Sequence, residues 1–226
     1  MLIKDDSSSN DFPPTPAGLH PAVCYGLIDI GTHEENFQGE PKLRRIVFLL
    51  FELPTLTLEI DGVTKPRGIN QKYTMSMHKK ANLRKDLESW RGKPFSEAQA
   101  QTGFELKTIL GANCQLNVIH NEVGDKTYAN ISSIVPLGHG MKKYDNFNEL
   151  ICYEITDGVP IPELVPRWLQ SKILASLELN ETGQQQDEWG DRGSGNKIIG
   201  PDQNPWGDDE PLQEPPSGLD PDSVPF

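Results

Sequence analysis

The stretch "ANLRKDLESWRG", residues 81–92, decides the fold, because it is helical in period and sits among segments that read as strands. Leu83, Leu87 and Trp90 recur at i, i+4 and i+7, which places an apolar stripe on one helix face. Asn82 stands where an N-cap is expected, and Gly92 can close the helix in a left-handed conformation. Arg84, Lys85 and Arg91 give the outer face a basic character.

Upstream lie three strand-like segments. "PAVCYGLIDI" (21–30) is β-branched and aromatic with a central Gly26, and "HEENFQGEPK" (33–42) behind it reads as a polar loop. "LRRIVFLLFEL" (43–53) is an apolar run too short for most helices and stopped by Pro54, which predicts a buried strand. "NQKYTMSMH" (70–78) alternates, with Tyr73, Met75 and Met77 on one face and Lys72, Thr74, Ser76 and His78 on the other. Downstream, a second short helical piece is expected around Phe104 to Leu110. "NCQLNVIHN" and "KTYANISSIVPL" then look extended, joined by "EVGD", a good hairpin signal.

Three strands, a helix and a closing hairpin predict a mainly β chain, and the position of the helix favours a five-stranded OB-fold barrel with its helical insertion between strands 3 and 4. "NELICYEIT" (148–156) is an added strand, and "VPRWLQSKILASLEL" (165–179) a short amphipathic helix through Trp168, Leu169, Ile173, Leu174 and Leu177.

Charge divides the chain. The 35% hydrophobic content, with 19 prolines against 20 glycines, is low enough that part of the sequence is expected outside any core. From Glu181 onward there are eleven acidic and two basic residues, a net of −9 within the chain's total of −12. The organisation expected is a flexible N-terminus (1–16), a barrel (17–140), a strand and helix extension (141–180) and a disordered acidic tail (181–226). No signal-like or membrane-length apolar run is present, so a cytoplasmic protein with no membrane contact is expected. Cys24, Cys114 and Cys152 are far apart and odd in number, which predicts buried free thiols rather than a disulfide or metal.

Between Lys42 and Lys93 twelve basic residues face five acidic ones, a local net of +7 inside an acidic protein. Single strands are held where cations track phosphates and flat side chains stack on bases. The candidates are Tyr25, Lys42, Arg44, Arg45, Lys72, Tyr73, His78, Lys79, Lys80, Arg84 and Tyr128. Trp90 completes the helix stripe and belongs to the core. Tyr73 shares its face with Met75 and Met77, which also favours the core, while Lys72 on the polar face is the better groove residue. The phosphate-loop, H-E-x-x-H, C-x-x-C and G-x-S-x-G patterns are missing, so neither catalysis nor a cofactor is expected.

The Gly/Pro/Gln/Asp-rich tail ending in "LDPDSVPF" (219–226) resembles the tails of bacterial single-stranded DNA-binding proteins, which finish with an acidic run and Ile-Pro-Phe. In the body, "VCYGLIDIGT" (23–32), "YTMSMHKKANLRKDLESWRG" (73–92) and "LNVIHNEVGDKTYANISSIVPL" (116–137) resemble single-stranded DNA-binding proteins encoded by phages and prophages. The resemblance implies a non-catalytic protein that coats single-stranded DNA during replication or recombination. It also implies a tail tip, through Asp220, Asp222, Val224, Pro225 and Phe226, that recruits replication or recombination proteins. The tip departs from the family in having only Asp220 and Asp222 as acids, separated by Pro221. A strand-annealing protein, or an interaction protein whose acidic tail mimics nucleic acid, are the alternatives; a homo-oligomer is left open.

Overall fold

Eight consecutive residues of one strand, Ile46 to Leu53, are buried, and the rest of the architecture is arranged to cover them on both sides. The computed structural model describes residues 13–184, apart from 38, 61, 125, 157 and 158. In chain order the elements are β1 (Gly18–Phe37), β2 (Glu40–Ile60), β3 (Val63–Thr74), α1 (Asn82–Arg91), α2 (Glu97–Thr102) and a one-turn 3-10 helix (Leu106–Ile109). They continue with β4 (Asn113–Val123), β5 (Lys126–Pro136), β6 (Ile151–Tyr153), α3 (Arg167–Leu174) and α4 (Leu177–Gln184).

The protein is mainly β. Its strands form a single sheet in the order β3-β2-β1-β4-β5, antiparallel throughout, with β6 added parallel to β1. The helix expected between the third and fourth strands is in place as α1. Among the described residues no ladder joins β5 to β3, so the sheet is open at that seam.

Because side chains alternate along a strand, β2 feeds two cores. Val47, Leu49, Phe51 and Leu53 point to one side, where Leu83, Leu87 and Trp90 of α1 meet Leu116, Val118, Ile131 and Ile134 of β4 and β5. Ile46, Phe48 and Leu50 point to the other, where Ile151, Tyr153 and Ile155 and the α3 residues Leu169 and Ile173 pack with Ile28 and Ile30 of β1. The 141–180 extension therefore covers the sheet itself. Strand β1 serves both cores by bulging: Tyr25 and Ile30 are left out of the β1–β2 register, so Ala22, Cys24 and Leu27 join the first core while Ile28 and Ile30 join the second.

Several boundaries differ from the sequence reading. The "polar loop" 33–42 is a hairpin arm in which Thr32 pairs with Arg45 and Glu35 with Lys42; the polar residues are simply those of an arm standing beyond the core. Pro54 does not stop β2. It lies in an irregularity of the β2–β3 register between Leu53 and Thr57, where a residue without an N–H costs no ladder bond. The third strand starts earlier and ends at Thr74, because Ser76 and His78 turn the backbone, with the His78 N–H donating to Ser76 Oγ and the Ala81 N–H to the His78 carbonyl. The cap of α1 is Ala81, without a side-chain hydrogen bond, rather than Asn82; Gly92 does end it left-handed, at φ 66°. Ahead of the expected piece near Phe104, α2 is started by a capping box between Ser96 and Gln99. The amphipathic helix is split at Ala175 and Ser176 into α3 and α4; Trp168 and Leu174 are exposed, and α4 runs four residues into the stretch read as tail. Cys24 and Cys114 are buried, the Cys24 thiol being pushed up to about 12 by that burial, but Cys152 is exposed.

The split positions Glu178, whose carboxylate accepts from the Thr32 N–H (2.8 Å) and the Thr32 hydroxyl (2.7 Å) and so ties α4 to β1. Gly31 lies beneath this contact at φ +83°, and a Cβ there would come within 2.6 Å of both Ser176 Cβ and Glu178 Oε2. Gly31→Ala is expected to lower unfolding stability by about 1–3 kcal/mol from backbone strain, with a further loss from the clash, as measured by urea titration.

Candidate nucleic-acid interface

The basic residues of the 42–93 stretch fall into two classes according to whether their charge is already committed inside the fold. Arg45 donates from Nε (3.0 Å) and Nη2 (2.5 Å) to Asp29 Oδ2, which raises its guanidinium further above its ordinary range. Asp29 is buried and also accepts from the Gly31 N–H (3.0 Å) and, at 3.4 Å, from the Ile155 N–H. The pair thus joins the base of the β1–β2 arm to the segment after β6.

Arg84, unlike the exposed Arg45, is itself buried, although it lies on a helix whose outer face was expected to be basic. Its guanidinium donates to Glu88 Oε1 (2.9 Å), to the Met77 carbonyl (3.1 Å) and to the Phe95 carbonyl (3.5 Å). Glu88 completes the knot by accepting from the Phe95 N–H (3.0 Å), and that bond, with the one from Arg84, holds its carboxyl below the usual range. Arg84 therefore fastens the two loops flanking α1 and does not face a ligand. Tyr73 is likewise interior: its hydroxyl donates to Asp86 Oδ2 at 2.6 Å, and burial first, then Asp86, holds the phenol well above its ordinary value. Neither Arg84 nor Tyr73 is placed to touch a strand of DNA, and for the same reason: a long side chain in a β–α junction is drawn inward when backbone carbonyls or a carboxylate await it there.

The remaining candidates lie at the surface or near it. Lys72 is half-buried and paired with Glu35 of the β1–β2 arm. Lys42 is exposed on that arm, 3.9 Å from Glu40, and Arg44 is half-buried opposite His33. His78, Lys79 and Lys80 are exposed on the turn before α1, where the Lys80 N–H donates to His78 Nδ1 at 3.2 Å. Lys85 is exposed on the helix that follows. The arm and this turn meet at one end of the sheet, since the Met75 N–H donates to the Arg45 carbonyl at 2.8 Å. Lys42, Arg44, Lys79 and Lys80 are thus brought to the same end.

Tyr128 is elsewhere. It pairs with Asn121 in the β4–β5 hairpin, which projects from the opposite end together with the β2–β3 hairpin. The residues before β1 bridge these two: the Arg67 guanidinium donates to the Pro13 carbonyl, and the His120 ring pairs with the Thr15 carbonyl at 2.8 Å. Tyr25, extruded by its bulge, is half-buried against the second core, and burial, with the nearby Glu52, raises its phenol.

Glu52 was not singled out by the sequence. It lies in the middle of β2 with no exposed surface, and its oxygens accept from the Phe147 N–H (2.5 Å), the Asn148 N–H (2.9 Å) and Asn148 Nδ2 (2.6 Å). An acid at the end of an apolar run was the available signal, but its partners stand 95 and 96 residues away. Among the described residues no group of three or more His, Cys, Asp and Glu is placed to hold a metal, and no helix is long and apolar enough to cross a membrane. The tip residues Asp220, Asp222, Val224, Pro225 and Phe226 lie outside the described residues. No family model and no curated protein matches the chain.

Proposed function

We propose that the protein is a non-catalytic single-stranded DNA-binding protein built on an OB-fold barrel. The observation that carries this reading is the strand order β3-β2-β1-β4-β5 with α1 inserted between β3 and β4. A partly open five-stranded Greek-key barrel of the OB type has this connectivity, and such barrels take oligonucleotides on strands 2–3 and on the loops between strands 1 and 2 and between strands 4 and 5. Here those connections are long two-stranded arms, and exposed cations stand at the base of one of them.

On this reading the phosphates follow Lys42, Arg44, Lys79, Lys80 and Lys85, while Tyr73 and Arg84 hold the framework. Protein partners, the replication or recombination proteins of a phage-infected host cytoplasm, are served by the tail through Phe226 and its neighbours. The resemblance of the body and tail to phage and bacterial single-stranded DNA-binding proteins supports this division of labour.

The test is a fluorescence anisotropy titration with labelled oligonucleotides across salt concentrations. Single-strand binding loses about 0.7 in the slope of log affinity against log salt for each phosphate contact removed. Lys79→Glu, Lys80→Glu and Lys85→Glu together are expected to reduce that slope by about 2 and to weaken binding at low salt. A protein that binds no single strand sinks the proposal; an unchanged slope moves the phosphate path off the start of α1.

A further inference from the structure

We infer that the cleft between the β2–β3 hairpin and the loop around Phe147 is a stacking site for one base of a single strand, with Phe147 as its platform. The inference rests on the single-strand reading above and adds to it a residue from the 141–180 extension, outside the five strands and the basic stretch.

Phe147 combines two properties that rarely occur together. The residue is 57% exposed and belongs to neither core. Its backbone is nonetheless held by a fully buried carboxylate, since the two Glu52 oxygens take the N–H groups of Phe147 and Asn148 and the Asn148 amide. A loop tied down by a buried charge while presenting a bare ring to water is preorganised, and a ligand that stacks on that ring pays little ordering entropy.

Phe147 lines a cavity of about 260 Å³ together with Pro54, Pro66, Thr57 and Thr64. The cavity lies where the β2–β3 register breaks: Pro54, Thr55 and Leu56 of β2 bulge out between Leu53 and Thr57, while their neighbours across the ladder, Arg67 and Pro66, stay paired. Apolar proline walls with threonines at the rim suit a flat heteroaromatic ring, whose faces are apolar and whose edge needs donors and acceptors. Asp145 and the Glu52 carboxylate also line the cavity, which disfavours a phosphate inside it and favours a neutral base with its backbone outside. The same face of β2 is closed by the second core at Ile46, Phe48 and Leu50, and it opens again past the buried Glu52. The cleft is thus an uncovered part of the strand 2–3 face.

The experiment pairs photocrosslinking with titration. A thymidine oligonucleotide carrying single 5-iododeoxyuridine substitutions is irradiated with the full-length protein and the adduct mapped by mass spectrometry; anisotropy titrations compare wild type, Phe147→Ala and Phe147→Tyr. An adduct at Phe147, a loss of affinity of roughly 5- to 150-fold in Phe147→Ala, and recovery in Phe147→Tyr are expected. If Phe147→Ala also melts at a lower temperature, the adduct on unaltered protein decides. Binding by wild type with equal affinity in Phe147→Ala and adducts only elsewhere overturns the stacking site and leaves the single-strand reading standing. Failure of wild type to bind any oligonucleotide overturns that reading, and the site with it.

Discussion

Glu52→Ala is expected to destabilise the protein by at least about 3 kcal/mol, read as a shift in the midpoint of urea unfolding. A hydrogen bond to a charged group contributes roughly 1.5–3 kcal/mol, and a buried donor left without a partner adds its desolvation cost. Three donors converge on this carboxylate: the Phe147 and Asn148 N–H groups and the Asn148 side-chain amide. Substitution by alanine removes all three bonds and opens a void between the cleft and the centre of β2. Glu52→Gln keeps the volume and offers one acceptor oxygen in place of two, so a smaller loss is expected. Equal stability of wild type and Glu52→Ala would mean that the loop is held by other contacts.

Removing residues 141–226 is expected to have a still larger effect and to leave a chain that does not fold to a monodisperse state, as judged by size-exclusion chromatography and near-UV circular dichroism. The truncation uncovers Ile28, Ile30, Ile46, Phe48 and Leu50, five side chains of the second core. Burying one such side chain contributes about 1.5–3 kcal/mol. Five together come to about 7.5–15 kcal/mol, comparable to the roughly 5–15 kcal/mol by which a domain is ordinarily stable. Removing only 185–226 leaves every described residue of both cores in place and is expected to leave the melting temperature unchanged. A well-folded 1–140 fragment would show that the second core is dispensable.

The order of strands and the place of the helix were legible because they depend on local period. Leu83, Leu87 and Trp90 mark a helix wherever they occur, and the Gly124 turn marks a hairpin. The buried run of β2 was also legible, but what covers its second face was not, since the packing of Trp168 edge-on to Phe48, with Leu169 and Ile173 in the same core, is set by a connection more than a hundred residues long. The site was harder to read. Charge counts registered the basic stretch, yet they could not separate Lys79 and Lys80, which stand in water, from Arg84 and Arg45, whose guanidinium groups find acceptors within the fold. Tyr73 alternates with Met75 and Met77, a pattern that favours the core, and it lies there, although β3 stops before either methionine. The capping box of α2 is written in "SEAQ" (96–99). Glu52 and Phe147 are the clearest case of what sequence withholds: each is unremarkable until the other is brought beside it.

The double burial of β2 also bears on how this sequence can vary. A strand with one wet face tolerates exchange at every second position, and β3 has room for that, since Lys65, Gly68 and Asn70 are exposed. From Ile46 to Leu53 there is no such alternate position. Seven apolar residues and one acid fill both sides, so the segment drifts as a block or not at all. In a library of random single substitutions it would stand out as an unbroken intolerant stretch, an imprint normally left by strands of fully enclosed parallel sheets, here produced in an antiparallel one by a C-terminal extension.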